Sequence, residues 1–65
     1  MRLMRLQDVI KATGLSRPTI YKRMASGGFP RPVPLGERAV AWVSDEIEAW
    51  ILARIEERDE RPITP

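Results

Sequence analysis

The chain has no cysteine and no histidine among its 65 residues. Without thiols there are no disulfides and no thiolate metal sites, and without imidazoles the usual zinc ligands and the commonest general base are gone as well. No stretch approaches the ~20 consecutive apolar residues of a membrane span. The first residues set Arg2 and Arg5 among single apolar side chains and lack the apolar core of a signal peptide. A chain this short buries only ~60% of the surface its unfolded form exposes, so one domain of modest stability is expected. These absences point to a cytoplasmic protein with no cofactor and no metal. They also leave no candidate nucleophile or acid–base pair, and an enzyme is not expected.

Acids are also scarce over most of the chain. Residues 1–43 hold two, Asp8 and Glu37, against eight bases, while residues 44–65 hold seven acids and three bases. The formal net charge of +2 therefore conceals a first part at +6 and a second at −4. Such a division lets one end face a polyanion while the other faces water; the plainer reading is a mixed surface with no partner implied.

Hydrophobic spacing lays out the elements. Leu6, Val9 and Ile10 fall on one helical face, which predicts a helix over Gln7–Thr13 with Asp8 in its first turn and Gly14 just past its end. Leu3 is placed in a short strand before it. Ser16 caps a second helix, Pro18 fits its first turn, and Gly27-Gly28 ends it. Pro30, Pro32 and Pro34 alternate with Arg31, Val33 and Leu35, so every missing N–H lies on the same side, as an edge strand requires. Its partner is Val40–Val43. Pairing Leu35 with Val40 and Val33 with Trp42 sets apolar against apolar across a four-residue loop, Gly36–Ala39. Ser44 caps a last helix with Ile47, Trp50, Ile51 and Ile55 as its apolar stripe. Residues 1–55 form the expected domain, and 56–65 read as a charged, disordered tail.

The order helix, turn, helix, hairpin, helix is that of a small winged helix-turn-helix: α+β, mostly α, with a two-stranded wing hairpin and a C-terminal helix. Helix entry into a DNA major groove needs an anchored inner face and polar or basic groups outside. Ile20 and Met24 supply the first. On the far side stand Pro18 and Lys22, flanked by Thr19 and Tyr21, with Arg17 at the first turn. Arg17 can reach a guanine edge or a phosphate, Lys22 can meet either, and Arg23, nearer the core side, suits backbone phosphate. The Ser16 hydroxyl and the free N–H groups of the helix start can hold a phosphate. Tyr21 is open between a DNA contact and rim packing. Arg38 at the hairpin tip and Arg31 at its base can reach the adjacent minor groove, although Arg38 also reads as a solvated turn residue. Glu37 beside it either ties it back or limits non-specific binding. Trp42 and Trp50 read as core rather than base-stacking platforms, and the acids of the last helix as cap and solvated face.

With these residues in view the chain resembles the AlpA family of small phage and prophage DNA-binding regulators, related to excisionases and to the winged domain of MerR proteins. The resemblance rests on Leu6-Gln7-Asp8-Val9, the run Gly14–Tyr21, Gly28-Phe29-Pro30-Arg31-Pro32-Val33, Leu35-Gly36, Ala41-Trp42 and Ile47-Glu48-Ala49-Trp50-Ile51, and spans residues 3 to about 54. It implies double-stranded DNA as partner and regulation of integrase or neighbouring genes on a mobile element. The alternative within the resemblance is an excisionase that binds cooperatively and bends DNA for an integrase. It places DNA contacts on Ser16, Arg17, Thr19, Tyr21 and Lys22 and on the wing near Arg38. Two positions depart from the family pattern: Pro18 stands where a small polar residue is expected, and Glu37 sets an acid in the wing. Either role suggests further copies of the chain on adjacent sites, and a nucleoid location. From another class, a protein-interaction module remains, with the basic face docked on an acidic partner.

Overall fold

The computed structural model describes residues 1–61. It contains β1 (Leu3–Met4), α1 (Leu6–Thr13), α2 (Arg17–Ala25), β2 (Val33–Pro34), β3 (Val40–Val43) and α3 (Ser44–Glu60). The three strands form one antiparallel sheet in the order β1-β3-β2. The result is the small α+β winged arrangement expected, with one addition. The short strand through Leu3 pairs with β3, so the hairpin becomes part of a three-stranded sheet in which β3 is central.

One core serves every element except β2, whose two residues are exposed. Met4, Val9, Ile20, Phe29, Trp42 and Ile47 are buried together, and Leu6, Ile10, Leu15, Met24, Val40, Trp50 and Ile51 pack around them. Each helix contributes the face that its apolar spacing defines. Fully burying side chains of this size is worth roughly 1.5–3 kcal/mol each before chain entropy is set against it. The last helix departs from expectation at Ile55, which is 40% exposed and is not part of the core.

The hairpin register differs by one residue from the expected one. Val33 pairs with Ala41 and Pro34 with Val40, and the Leu35 N–H donates to the Ala39 carbonyl at 2.7 Å. The connection is thus three residues, Gly36–Arg38, not four. A slip of one residue sends side chains to the opposite face. Trp42 accordingly does not face Val33: it is fully buried, whereas Val33 and Leu35 are 36% and 48% exposed. The physical reason lies outside the hairpin. The Trp42 indole donates from Nε1 to the Pro30 carbonyl at 3.0 Å, and that bond, with burial of the ring, outweighs apolar pairing across the strands. The proline reading survives the slip. Residues 33 and 35 direct their N–H groups at β3, which leaves Pro34 on the free edge, whereas Pro30 and Pro32 precede the two-residue strand.

Ser44 also behaves differently from expectation. It is the first residue of α3, and its side chain does not cap the helix. Its N–H donates to the Arg2 carbonyl and its Oγ accepts the Arg2 N–H, both at 2.8 Å. This continues the β1–β3 ladder by one step. The carbonyl of a first helical residue is drawn into the helix, so the hydroxyl takes its place in the ladder. Helix α3 then runs on through Glu56–Glu60, residues assigned from composition to a disordered tail. Glu and Arg, four of those five residues, are good helix formers, and an Arg54–Glu57 pair at 3.4 Å leads into the stretch. Residues 62–65 of that expected tail lie outside the described residues.

Replacing Ser44 by Ala tests its assignment to the strand. Stability in urea should fall by about 1 kcal/mol. The Arg2 amide should lose its protection from hydrogen exchange, while the amides of α3 beyond its first turn, which have intrahelical acceptors, keep theirs.

Candidate nucleic-acid interface

A turn set by local chemistry presents α2. Gly14 adopts φ 74°, the left-handed conformation that a glycine enters without strain, and its N–H returns to the Ile10 carbonyl at 2.8 Å. Thr13 does the rest, and sequence reading missed it. Its Oγ1 donates to the Val9 carbonyl at 2.8 Å and accepts the Leu15 N–H at 3.2 Å, so one hydroxyl links the last turn of α1 to the connection. The available signal was a threonine in the final helical turn, where back-bonding to residue i−4 is common. Ser16 then caps α2, accepting the Thr19 N–H at 3.4 Å, and the two hydroxyls lie 2.9 Å apart. At the far end Gly27 takes φ 82°; the N–H groups of Gly28 and Gly27 reach the carbonyls of Arg23 and Met24, at 2.8 and 3.1 Å, and close the helix in a Schellman motif.

This framework fixes which face of α2 is free. Ile20 is fully buried and Met24 half-buried. Ser16, Arg17, Pro18, Tyr21, Lys22 and Arg23 are exposed, and Thr19 is half-buried. Thr19, Lys22, Arg23 and Ser26 line one shallow depression on the helix. On the other flank, Tyr21, Met24 and Ala25 meet Arg31 and Pro32 across a groove between α2 and the start of the wing. Thr19, Lys22 and Arg23 thus share one depression and Tyr21 and Arg31 another, while Ser16, Arg17 and Pro18 line neither, and the second contains apolar lining that the helical wheel alone does not bring forward. Arg38 stands apart from both, exposed in the Gly36–Arg38 loop.

The electrostatics are simple. Among the described residues the ion pairs are those of the N-terminus with Asp45, Arg54 with Glu57 and Arg58 with Asp59. None involves a basic side chain from residues 1–43, so the bases of α2 and the wing form no ion pair among the described residues. Glu37 does not tie Arg38 back. The Arg17 guanidinium lies 5.7 Å from the centre of the Tyr21 ring, a contact between residues four apart that sequence reading did not identify. Trp50 is edge-on to Phe29, 5.0 Å between ring centres, and gives its indole N–H to the Gly28 carbonyl at 2.8 Å. Its ring is thereby engaged with the fold, and Trp42 is buried, which removes both from the set of stacking surfaces. No described helix is long and apolar enough to cross a membrane.

Comparison with known proteins adds an independent finding. The profile of the family described as prophage CP4-57 regulatory protein (AlpA) matches residues 2–55. An uncharacterized protein of Enterobacteria phage P4, ORF88, is 44% identical over 54 residues, which is 83% of this chain and 61% of that protein. The DNA-binding transcriptional activator AlpA of Escherichia coli is 35% identical over 60 residues, covering 83% of this chain and 86% of its own length. The chain thus spans about three fifths of the phage relative and most of the bacterial one.

The Thr13 bridge supplies a test of the turn. Thr13→Val keeps the branched shape and removes both hydrogen bonds, so chemical denaturation should show a loss of about 1–2 kcal/mol.

Proposed function

Because the chain belongs to the AlpA family of prophage regulatory proteins, we propose that it is a sequence-specific double-stranded DNA-binding regulator of phage, prophage or mobile-element genes, acting at the nucleoid in the cytoplasm. Helix α2 enters the major groove and the β2–β3 hairpin lies over the adjacent minor groove. The observation that carries this reading is the polarity of α2. Ile20 is locked in the core, while Arg17, Lys22 and Arg23 are exposed and make no ion pair among the described residues. A nine-residue helix is about 13 Å long, and the major groove is about 12 Å wide, so the length suits entry at its N-terminal end. The bacterial relative named as a DNA-binding transcriptional activator supports the same reading.

Roles divide by position. Arg17 and Lys22 contact base edges or phosphate. Arg23 meets backbone phosphate, and Ser16 with Thr19 forms a polar start to the helix beside it. Pro18 presents no donor and contributes shape only. Arg31 and Arg38 hold the wing to the flanking backbone. A module of this size covers roughly 600–1,000 Å² on DNA, which gives modest affinity alone, so copies on adjacent sites complete a stable complex.

Titration against DNA at several salt concentrations tests this. Binding should weaken steeply with salt, by ~0.9 log units per log unit for each phosphate neutralised. The Arg17→Ala/Lys22→Ala double variant should remain folded and lose specific binding. Arg31→Ala and Arg38→Ala should each flatten the salt slope by ~0.9. A folded double variant that binds its selected sequence normally overturns the assignment of α2. Base-pair-resolution mapping on the host genome then separates roles: sites at a promoter identify a transcription regulator, whereas clustered sites beside a recombination junction identify an excisionase partnered by an integrase.

A further inference from the structure

Arg17 occupies a position that helix physics disfavours. It is the first residue of α2, where the macrodipole is positive, and no acid stands in that first turn to offset it. None of the ion pairs among the described residues includes it. What it does have is Tyr21. Residues four apart share a flank of the helix, and a helical side chain leans toward the N-terminus, so the Tyr21 ring lies over the turn that carries Arg17. The guanidinium carbon is 5.7 Å from the ring centre, within cation–π range. With Met24, Ala25, Arg31 and Pro32 the ring lines the groove between α2 and the wing. Tyr21 is 40% exposed, so the ring is open to the arginine.

We propose that Tyr21 is a positioning residue for Arg17, and that it sets specificity through its ring rather than through a hydrogen bond from its hydroxyl to DNA. The inference rests on the proposed DNA-binding function and names how one base contact is made selective. A free arginine carries large rotamer entropy, and a planar fork held in place before encounter loses less of it on forming a bidentate contact with guanine. An unrestrained Arg17 still reaches phosphate, so loss of the platform weakens discrimination more than general affinity.

The test has two arms. The first needs no DNA. In the free protein, ring-current shifts on the Arg17 side-chain protons should persist in Tyr21→Phe and vanish in Tyr21→Leu, with circular dichroism confirming that both variants are folded. The second uses a duplex selected from a random pool by the wild-type protein and a scrambled duplex of equal length. Tyr21→Leu should reduce affinity for the selected duplex roughly two- to five-fold, the range expected for an exposed cation–π contact, and leave the scrambled duplex unaffected. Tyr21→Phe should match the wild type on both. In an Arg17→Ala background the change at residue 21 should have no further effect. The proposal is overturned if Tyr21→Phe loses as much as Tyr21→Leu, which makes the hydroxyl a direct contact, or if the losses at 17 and 21 add in full. Failure of the wild type to select any duplex overturns the DNA-binding reading itself, whereas the ring-current result still reports whether Tyr21 holds Arg17.

Discussion

The Trp42 indole is fully buried on the central strand and sends its N–H to the Pro30 carbonyl. A buried N–H left without an acceptor costs on the order of 1–3 kcal/mol, a large share of what a 65-residue domain has to spare. The bond therefore fixes where the chain after α2 must run. Trp50 imposes a matching condition from α3, donating to the Gly28 carbonyl at 2.8 Å. Phe29 lies between the two anchored carbonyls and is itself buried, edge-on to Trp50. Residues 28–30 are thus held from two elements at once. This segment joins α2 to the hairpin, so the two indoles fix the path by which the chain leaves the helix for the wing.

That dependence gives the hairpin an unusual freedom. Its register answers to Trp42 and Pro30, and apolar Val33 and Leu35 are left half-exposed as a consequence. Its outer edge carries Pro34, which supplies no donor for a further strand. The opposite edge of β3 is occupied by β1, held in turn by the exchange between Arg2 and Ser44. With β3 fixed on both sides, the Gly36–Arg38 loop is an extension on a rigid base, and a rigid base positions a surface side chain more closely than a mobile one does.

What could be read from the residues alone divides by the range of the interactions. The helix-turn-helix was legible because its determinants are local: a glycine that takes positive φ, a serine cap three residues before Thr19, and Ile20 with Met24 one turn apart. The edge placement of the proline strand was legible for the same reason, since missing donors are a property of the residues themselves. The register was not, because it is decided by a bond from Trp42 to a residue twelve positions away. Ser44 was misread because a serine ahead of a helical pattern signals a cap, and only the docking of β1 shows its hydroxyl engaged with Arg2. The length of α3 was underestimated by weighing charge and neglecting that the charged residues are helix formers with an ion pair between Arg54 and Glu57. In the candidate site, exposure followed from the helical wheel. The Arg17–Tyr21 contact has a sequence signal, spacing of four, that was present and went unused.

The exceptions to local rules are informative in another way. Sequences that fold well satisfy propensity, capping and electrostatics together, and departures gather where function constrains the choice. Here α1 follows the rules: Asp8 in its first turn accepts the Arg5 N–H at 3.3 Å, and Lys11 stands in its last turn. Helix α3 opens with Asp45 and Glu46 and carries Arg58 near its end. Helix α2 keeps the rule at its end, with Lys22 and Arg23 in the last turn, but departs from it at its start, with Arg17 at the positive end and no acid in the first turn. The helix gains nothing in stability from that arginine, whose energetic partner within the chain is a tyrosine ring. A polyanion laid against the start of α2 supplies the missing negative charge, and it suits both the dipole and the unpaired bases beside it. The one helix whose electrostatics are incomplete in isolation is the helix proposed to enter DNA.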